Sequence, residues 1–189
     1  DSDEQETSSG SVGSQIYKHL MNGVSHMLPF VIGGGIAIAL AFLIDQMIGV
    51  PTDSLSSLGS YNQLAAYFNT IGGTAFSFML PVLAGYIAMS IADRPGLVVG
   101  FVGGTLAASG ATFANPGGEI SAGFLGALLA GFLSGYIVLG LKKLCEKLPK
   151  ALDAIKPILI YPLAGVFLIG IVLSAINPAV AMLNSGLTN

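Results

Sequence analysis

The chain has 189 residues, 53% hydrophobic and only 9% charged, with a mean hydropathy of +0.78. Ordinary soluble domains carry about 25% charged residues, so this much apolar surface excludes a water-soluble fold. The formal net charge of −3 comes largely from a leading acidic tail, the seven Lys and Arg form no patch for nucleic acid, and the single Cys145 excludes an internal disulfide and any multi-cysteine metal site.

Residues 1–15 are acidic, rich in Ser and Gly and without apolar periodicity, which predicts a solvated linker. The stretch lacks the basic start and apolar core of a signal peptide, and Asp1 in place of a methionine is expected of a chain cut from something longer. A single membrane domain is then expected over 16–189. Ile16, Leu20 and Met27 recur at helical spacing around Lys18 and His19, predicting a short helix at the membrane surface. Residues 27–44 carry no charge and predict the first span, since about 20 apolar residues cross roughly 30 Å of hydrocarbon. The span ends at Asp45.

A polar connection with Asp53 leads to a second span over 68–92, which Pro81 should kink. Asp93-Arg94-Pro95-Gly96 reads as a tight turn. The third span, 97–114, is rich in glycine, so it can be broken or re-entrant where protein shelters it. Asn115 to Glu119 form the next turn. The fourth span, 120–141, places Gly123, Ala127, Gly131 and Gly135 four residues apart, a small-residue ladder that lets another backbone approach closely.

Leu141, Leu144, Cys145, Leu148, Leu152 and Ile155 then predict an interfacial amphipathic helix bent at Pro149, with lysines on its other face. The fifth span covers 157–176, and Asn177-Pro178 marks its expected outer end. The fold class is therefore an all-α polytopic bundle of about five spans plus one interfacial helix. Lys18, Arg94 and the five lysines from Lys142 to Lys156 all fall on one side, whereas Asp45, Asp53 and Glu119 fall on the other. The positive-inside bias makes the lysine side, and the N-terminus, cytoplasmic.

Tyr17-Lys18-His19-Leu20, Gly23-Val24-Ser25, Met27-Leu28-Pro29-Phe30-Val31, Ala84-Gly85-Tyr86-Ile87-Ala88, Ala92-Asp93-Arg94-Pro95-Gly96 and Gly123-Phe124-Leu125-Gly126-Ala127 follow one another in an order that resembles the fructose-type membrane component (IIC) of the bacterial sugar phosphotransferase system. The lysine-rich linker and Tyr161-Pro162 continue the resemblance. It implies a multi-pass permease of the bacterial cytoplasmic membrane that imports fructose or a related sugar, coupled to phosphorylation by IIB and IIA partners. Such a system is a protein-Npi-phosphohistidine–fructose phosphotransferase. It also implies a homodimer in the lipid bilayer, no cofactor and no metal. Family membrane parts are roughly twice as long, and the Gly-Ile-Thr-Glu-like segment of their second half has no match here, so this chain resembles the N-terminal, scaffold half. A non-transporting scaffold or dimerisation fragment, and a transporter of another class, stand as alternatives; the absence of charge within the spans argues against ion coupling.

No residue is expected to perform covalent chemistry. Asp93 and Arg94 read as a charge-paired turn, with contact to sugar or phosphate as the alternative. Asn115 and Glu119 read as a solvated turn that could meet an arriving polyol, because amides and carboxylates hold hydroxyls through several hydrogen bonds. Cys145 lies on an apolar stripe and reads as packing; the family places the phosphocysteine in IIB. His19 and His26 read as interfacial, and Gly33-Gly34-Gly35 as a close helix contact rather than a nucleotide loop.

Overall fold

A computed structural model describes residues 11–118 and 120–188; the acidic stretch 1–10 and Glu119 lie outside them. Every regular element among the described residues is helical: α1 Ser11–Ile48, α2 Gln63–Ser77, α3 Met79–Ser109, α4 Gly123–Leu144 and α5 Tyr161–Thr188, with short 3-10 and π turns between. The all-α membrane architecture follows from four stretches long and apolar enough to cross a bilayer: Val12–Ile48, Gln63–Ser109, Gly123–Lys147 and Lys156–Leu183. The second of them doubles back, so five apolar arms result, as expected.

Two boundaries differ from the sequence reading at the start of the chain. Helix α1 opens at Ser11, so residues 11–15 belong to it rather than to a linker, and it runs for 38 residues through Pro29 without the separate surface helix expected before the first span. Nothing over 11–28 stops a helix, and once one is nucleated each added residue gains a hydrogen bond. At 1.5 Å per residue α1 is about 57 Å long.

The chain forms two compact units, one of Met27–Met79 and one comprising the chain up to His26 with Leu80 onwards. In the first, the part of α1 from Met27 onwards packs on α2 where neither backbone has a side chain in the way. A Cβ on Gly34 would lie 2.9 Å from the Gly72 carbonyl oxygen, and one on Gly72 would lie 2.7 Å from that of Gly34. Of the Gly33-Gly34-Gly35 run, Gly34 makes the helix contact, whereas a Cβ on Gly33 or Gly35 would meet nothing within 4 Å. Beyond α1, the buried Asp45 carboxylate gathers the returning chain: it accepts from Gly59 N (2.6 Å), Tyr61 N (2.9 Å), Asn62 N (3.0 Å) and Asn62 Nδ2 (2.7 Å). Asn62 is the N-cap of α2, so one carboxylate closes the loop and starts the next helix. Helix α2 stops at Ser77 because Pro81, lacking an N–H, cannot bond the Ser77 carbonyl; the break lies four residues ahead of the proline itself.

In the second unit α3 is a helical hairpin. Its non-helical residues are Ala92 and Asp93. The arms, 79–91 and 94–109, run antiparallel at glycine contacts: Gly96 meets Ala88, Gly100 meets Ala84 and Gly85, and Gly104 meets Pro81 and Ala84. Asp93 has φ 65° and ψ −157°, a region that essentially only glycine occupies without strain. Lys142 braces this turn from α4: its Nζ donates to the Ala92 carbonyl (3.0 Å) and lies 3.5 Å from Asp93 Oδ2. The second arm ends at Gly110, whose φ of 73° and close approach to the Ile120 carbonyl leave no room for a side chain.

Helices α4 and α5 complete this unit around a core of Ala84, Val99, Ala107, Ala130, Val138, Ile169 and Leu173. Small residues dominate it because association within lipid depends on close packing rather than on expulsion of water. The interfacial amphipathic helix expected over 141–156 is not formed. Instead α4 ends at Leu144 and the chain proceeds through 3-10 turns at Cys145–Lys147 and Lys150–Leu152 to a π turn at Lys156–Ile160. Pro149 and Pro157 each remove a helical donor, and Leu148, next to Pro149, is held extended at ψ 153°. At the far end, α5 runs through Asn177-Pro178 to Thr188 instead of stopping there. A proline within a membrane helix is tolerated when neighbours satisfy the freed backbone groups.

Candidate functional site

The second unit carries polar groups at both ends of its helices, and the predicted site residues divide between them. Asp93 and Arg94 lie exposed at the hairpin turn, on the end that bears the lysines. Asn115 lies at the opposite end, beyond the arm 94–109, which is about 24 Å long at 1.5 Å per residue. Glu119 lies outside the described residues. The four therefore do not form one site.

At the lysine end, α1 meets the first hairpin arm through side chains that are far apart in sequence. His19 Nδ1 is hydrogen-bonded to Ser90 Oγ (2.6 Å), Asn22 Nδ2 donates to the Tyr86 carbonyl (2.8 Å), and the His26 ring stacks on Tyr86 with centroids 3.8 Å apart. Each histidine is thereby held by partners at least 60 residues away. Cys145 is buried in the core, in keeping with a packing role.

At the other end, Gly110, Thr112, Asn115, Ile120, Asn177, Pro178, Ala181, Met182 and Ser185 line a cleft of about 470 Å³. This is the size of a small-molecule site, and its mostly apolar wall with a few placed polar groups is the usual composition of one. The Asn115 wall is rigid. Thr112 N donates to the Asn115 carbonyl (3.1 Å), Asn115 N donates to Thr112 Oγ1 (3.0 Å), and Gly118 N donates to the Asn115 carbonyl (3.0 Å).

Asn177, the residue that sequence reasoning took for a helix end, is 1% exposed. Its Nδ2 donates both protons, to the Leu106 carbonyl (3.2 Å) and the Ala111 carbonyl (2.8 Å), satisfying backbone groups at the end of α3. Its Oδ1 has no hydrogen-bond partner among the described residues. The signal for this position was an amide inside an otherwise apolar run, which is costly in lipid unless it serves a purpose. None of the described lining residues is ionisable, and Thr112, Asn115, Asn177 and Ser185 bring hydroxyl and amide groups to the cleft.

Long apolar helices and a hairpin closed by a strained turn define a polytopic helical membrane protein. The chain belongs to the EIIC family of the phosphotransferase system, whose family model matches residues 21–189. It is 47% identical to the fructose-specific EIIABC component of Bacillus subtilis over 99% of this chain and 28% of that protein. It is 48% identical to the fructose permease IIC component of Bacillus amyloliquefaciens over 69% of this chain and 40% of the relative. The fructose-specific EIIC component of Haloferax volcanii is 35% identical, over 93% of this chain and 48% of its own length. The chain thus spans between about a quarter and a half of these relatives. No solved structure matches it.

Proposed function

We propose that this chain is the N-terminal portion of a permease that takes up fructose or a closely related sugar and delivers it to phosphorylating IIB and IIA components. The observation that carries this reading is the family match over 21–189 together with relatives whose names specify fructose and join the EIIA, EIIB and EIIC components in one chain. The neutral, hydroxyl- and amide-bearing cleft suits an uncharged polyol better than an ion. Asp93 and Arg94, exposed at the hairpin turn, are assigned to the face that meets a phosphorylating partner. Asn115, with Glu119 four residues further on, is assigned to the sugar side.

The test is to graft this chain into the Bacillus subtilis relative in place of the segment it matches. The graft is expected to support phosphoenolpyruvate-dependent phosphorylation of labelled fructose in a permease-deleted host, and the 189-residue chain alone to support none. A properly inserted graft that phosphorylates no sugar would rule the reading out. Activity from the chain alone would place the whole sugar site in this half.

The orientation follows from the lysines: five of the seven basic residues lie between Lys142 and Lys156, and moving them across a cytoplasmic membrane would oppose the positive-inside bias. With Cys145→Ser as background, an impermeant thiol reagent added to intact cells should label Asp53→Cys and leave Lys147→Cys unlabelled until the cells are opened. Labelling of Lys147→Cys from outside inverts the topology. A homodimer rests on the resemblance, and its contact face is not the Gly131 ladder, which is filled from within the chain.

A further inference from the structure

The connection between α4 and α5 joins two membrane helices at the end that carries the lysines, and it is held down at both of its own ends. Cys145, just after α4, and Tyr161, the first residue of α5, are buried. Lys156 is buried as well, with its Nζ 2.8 Å from Asp153 Oδ1. Only short 3-10 and π turns lie between, so the chain stays near the level at which it leaves and re-enters the bilayer.

Its exposed side chains are of two kinds. Leu144 is 76% exposed and Ile158 79%, and Leu159 is exposed beside it. Lys143, Lys147 and Lys150 are exposed along the same connection. The acids that could cancel these cations are engaged elsewhere: Asp93 by Lys142 at the hairpin turn, and Asp153 by Lys156. Among the described residues the three lysines form no ion pair, and Glu146 is the one other acid between Leu144 and Tyr161. A positive excess is left over between aliphatic side chains that water does not favour.

We infer that this connection is a docking surface for anionic phospholipid of the adjoining leaflet. Leu144, Ile158 and Leu159 enter the acyl region, and the ammonium groups of Lys143, Lys147 and Lys150 meet the headgroup phosphates. Long lysine side chains suit this role, because the stem lies along apolar material while the charge reaches the interface. The occupant is lipid rather than a soluble partner because the exposed aliphatic positions continue directly into α4 and α5, which lipid surrounds. The charge selects the lipid: a basic segment beside a membrane helix is drawn to anionic headgroups. The inference goes beyond the sugar-uptake reading and does not rest on it.

The experiment uses the graft described above, carrying a photoreactive diazirine amino acid in place of the exposed Ala151, in vesicles of equal phosphatidylglycerol and phosphatidylcholine. After illumination, mass spectrometry of the labelled peptide counts the adducts on each lipid. Phosphatidylglycerol is expected to be favoured about fivefold or more, the factor that a single lysine near an anionic surface contributes. The preference should fall towards one in about 1 M potassium chloride, where the screening length is roughly 3 Å. Lys143→Gln/Lys147→Gln/Lys150→Gln should lose it likewise, and the corresponding triple arginine variant should keep it. If the glutamine variant fails to insert, the salt comparison, made with the lysines intact, decides.

Equal labelling of the two lipids at low salt overturns the inference, as does a preference that survives both the salt and the glutamine substitutions. Adducts on the IIA or IIB domains of the graft in place of lipid would make the connection a protein-docking surface and overturn it too, and so would addition of water alone. No sugar enters the measurement, so a graft that phosphorylates nothing but labels phosphatidylglycerol as expected removes the sugar-uptake reading and supports the lipid surface.

Discussion

Replacing Asp45 with alanine is expected to release the connection between the first two helices and to expose it to protease. One carboxylate there accepts four hydrogen bonds at 2.6–3.0 Å, from Gly59, Tyr61 and Asn62. The side chain is fully buried. Removing a charged acceptor strands the donors that faced it, and buried unpaired donors carry the whole desolvation penalty. The loop's own supports are weak: a 3-10 turn at Thr52–Ser57 with a distorted Ser54, and Asn69 Nδ2 donating to the Gly59 carbonyl at 3.2 Å.

Limited proteolysis of the detergent-solubilised protein should therefore cut between 49 and 62 faster by an order of magnitude or more in Asp45→Ala. Asp45→Asn should be intermediate, because it keeps one acceptor oxygen and presents a donor where another is needed. Insertion into the membrane should be unchanged, since the apolar span of α1 is intact. Cleavage in Asp45→Ala at the wild-type rate would show that the four hydrogen bonds do not hold the loop.

That carboxylate marks where sequence reasoning runs out. The apolar arms, their order and the sorting of Lys and Arg were legible, because membrane insertion imposes run length and charge placement on each segment separately. Asp45 was legible only as the end of a span. Its partners lie 14 to 17 residues away and are mostly backbone groups, which carry no sequence signature. Asn177 was misread for the same reason: Asn-Pro is a common helix stop in water, but here the amide ties the Leu106 and Ala111 carbonyls at the end of α3, and α5 continues past it. The stripe from Leu141 to Ile155 had the right period for an amphipathic helix, and two prolines overrode it. The hairpin turn was legible in position from Asp93-Arg94-Pro95-Gly96, whereas its brace from Lys142, about 50 residues away, was not. Of the described candidate site residues only Asn115 falls in the cleft.

The small-residue ladder on α4 shows how far such a pattern can be taken. The spacing of Gly123, Ala127, Gly131 and Gly135 predicts a close contact but not its partner, and a second copy of the chain would have satisfied it equally well. The partner is the first arm of the α3 hairpin. A Cβ on Gly131 would stand 2.9 Å from the Ala84 carbonyl oxygen, 3.0 Å from Ala84 Cα and 3.0 Å from Ile87 Cβ, and one on Gly135 would stand 2.7 Å from Ile91 Cβ. The Ala84 backbone has no room to retreat, since a Cβ on Gly100 of the other arm would lie 2.7 Å from the same Ala84 oxygen and from Gly85 Cα.

Gly131→Ala is therefore expected to destabilise the helix packing by about 2–3 kcal/mol, the upper part of the usual range for overpacking. Gly131→Leu should cost more and loosen α4 from the hairpin, although both variants should still insert, because Ala and Leu are acceptable in lipid. Gly140→Ala is the internal control: it lies on the same helix, its Cβ would meet nothing within 4 Å, and relief of backbone entropy should leave it neutral or slightly stabilising. Thermal or denaturant unfolding in detergent, followed by accessibility of Cys145 to a thiol reagent, provides the measurement. The buried Cys145 should become reactive at lower temperature in Gly131→Ala and earlier still in Gly131→Leu, with Gly140→Ala unchanged. Wild-type stability in Gly131→Ala would mean that α4 and the hairpin are not in backbone contact there.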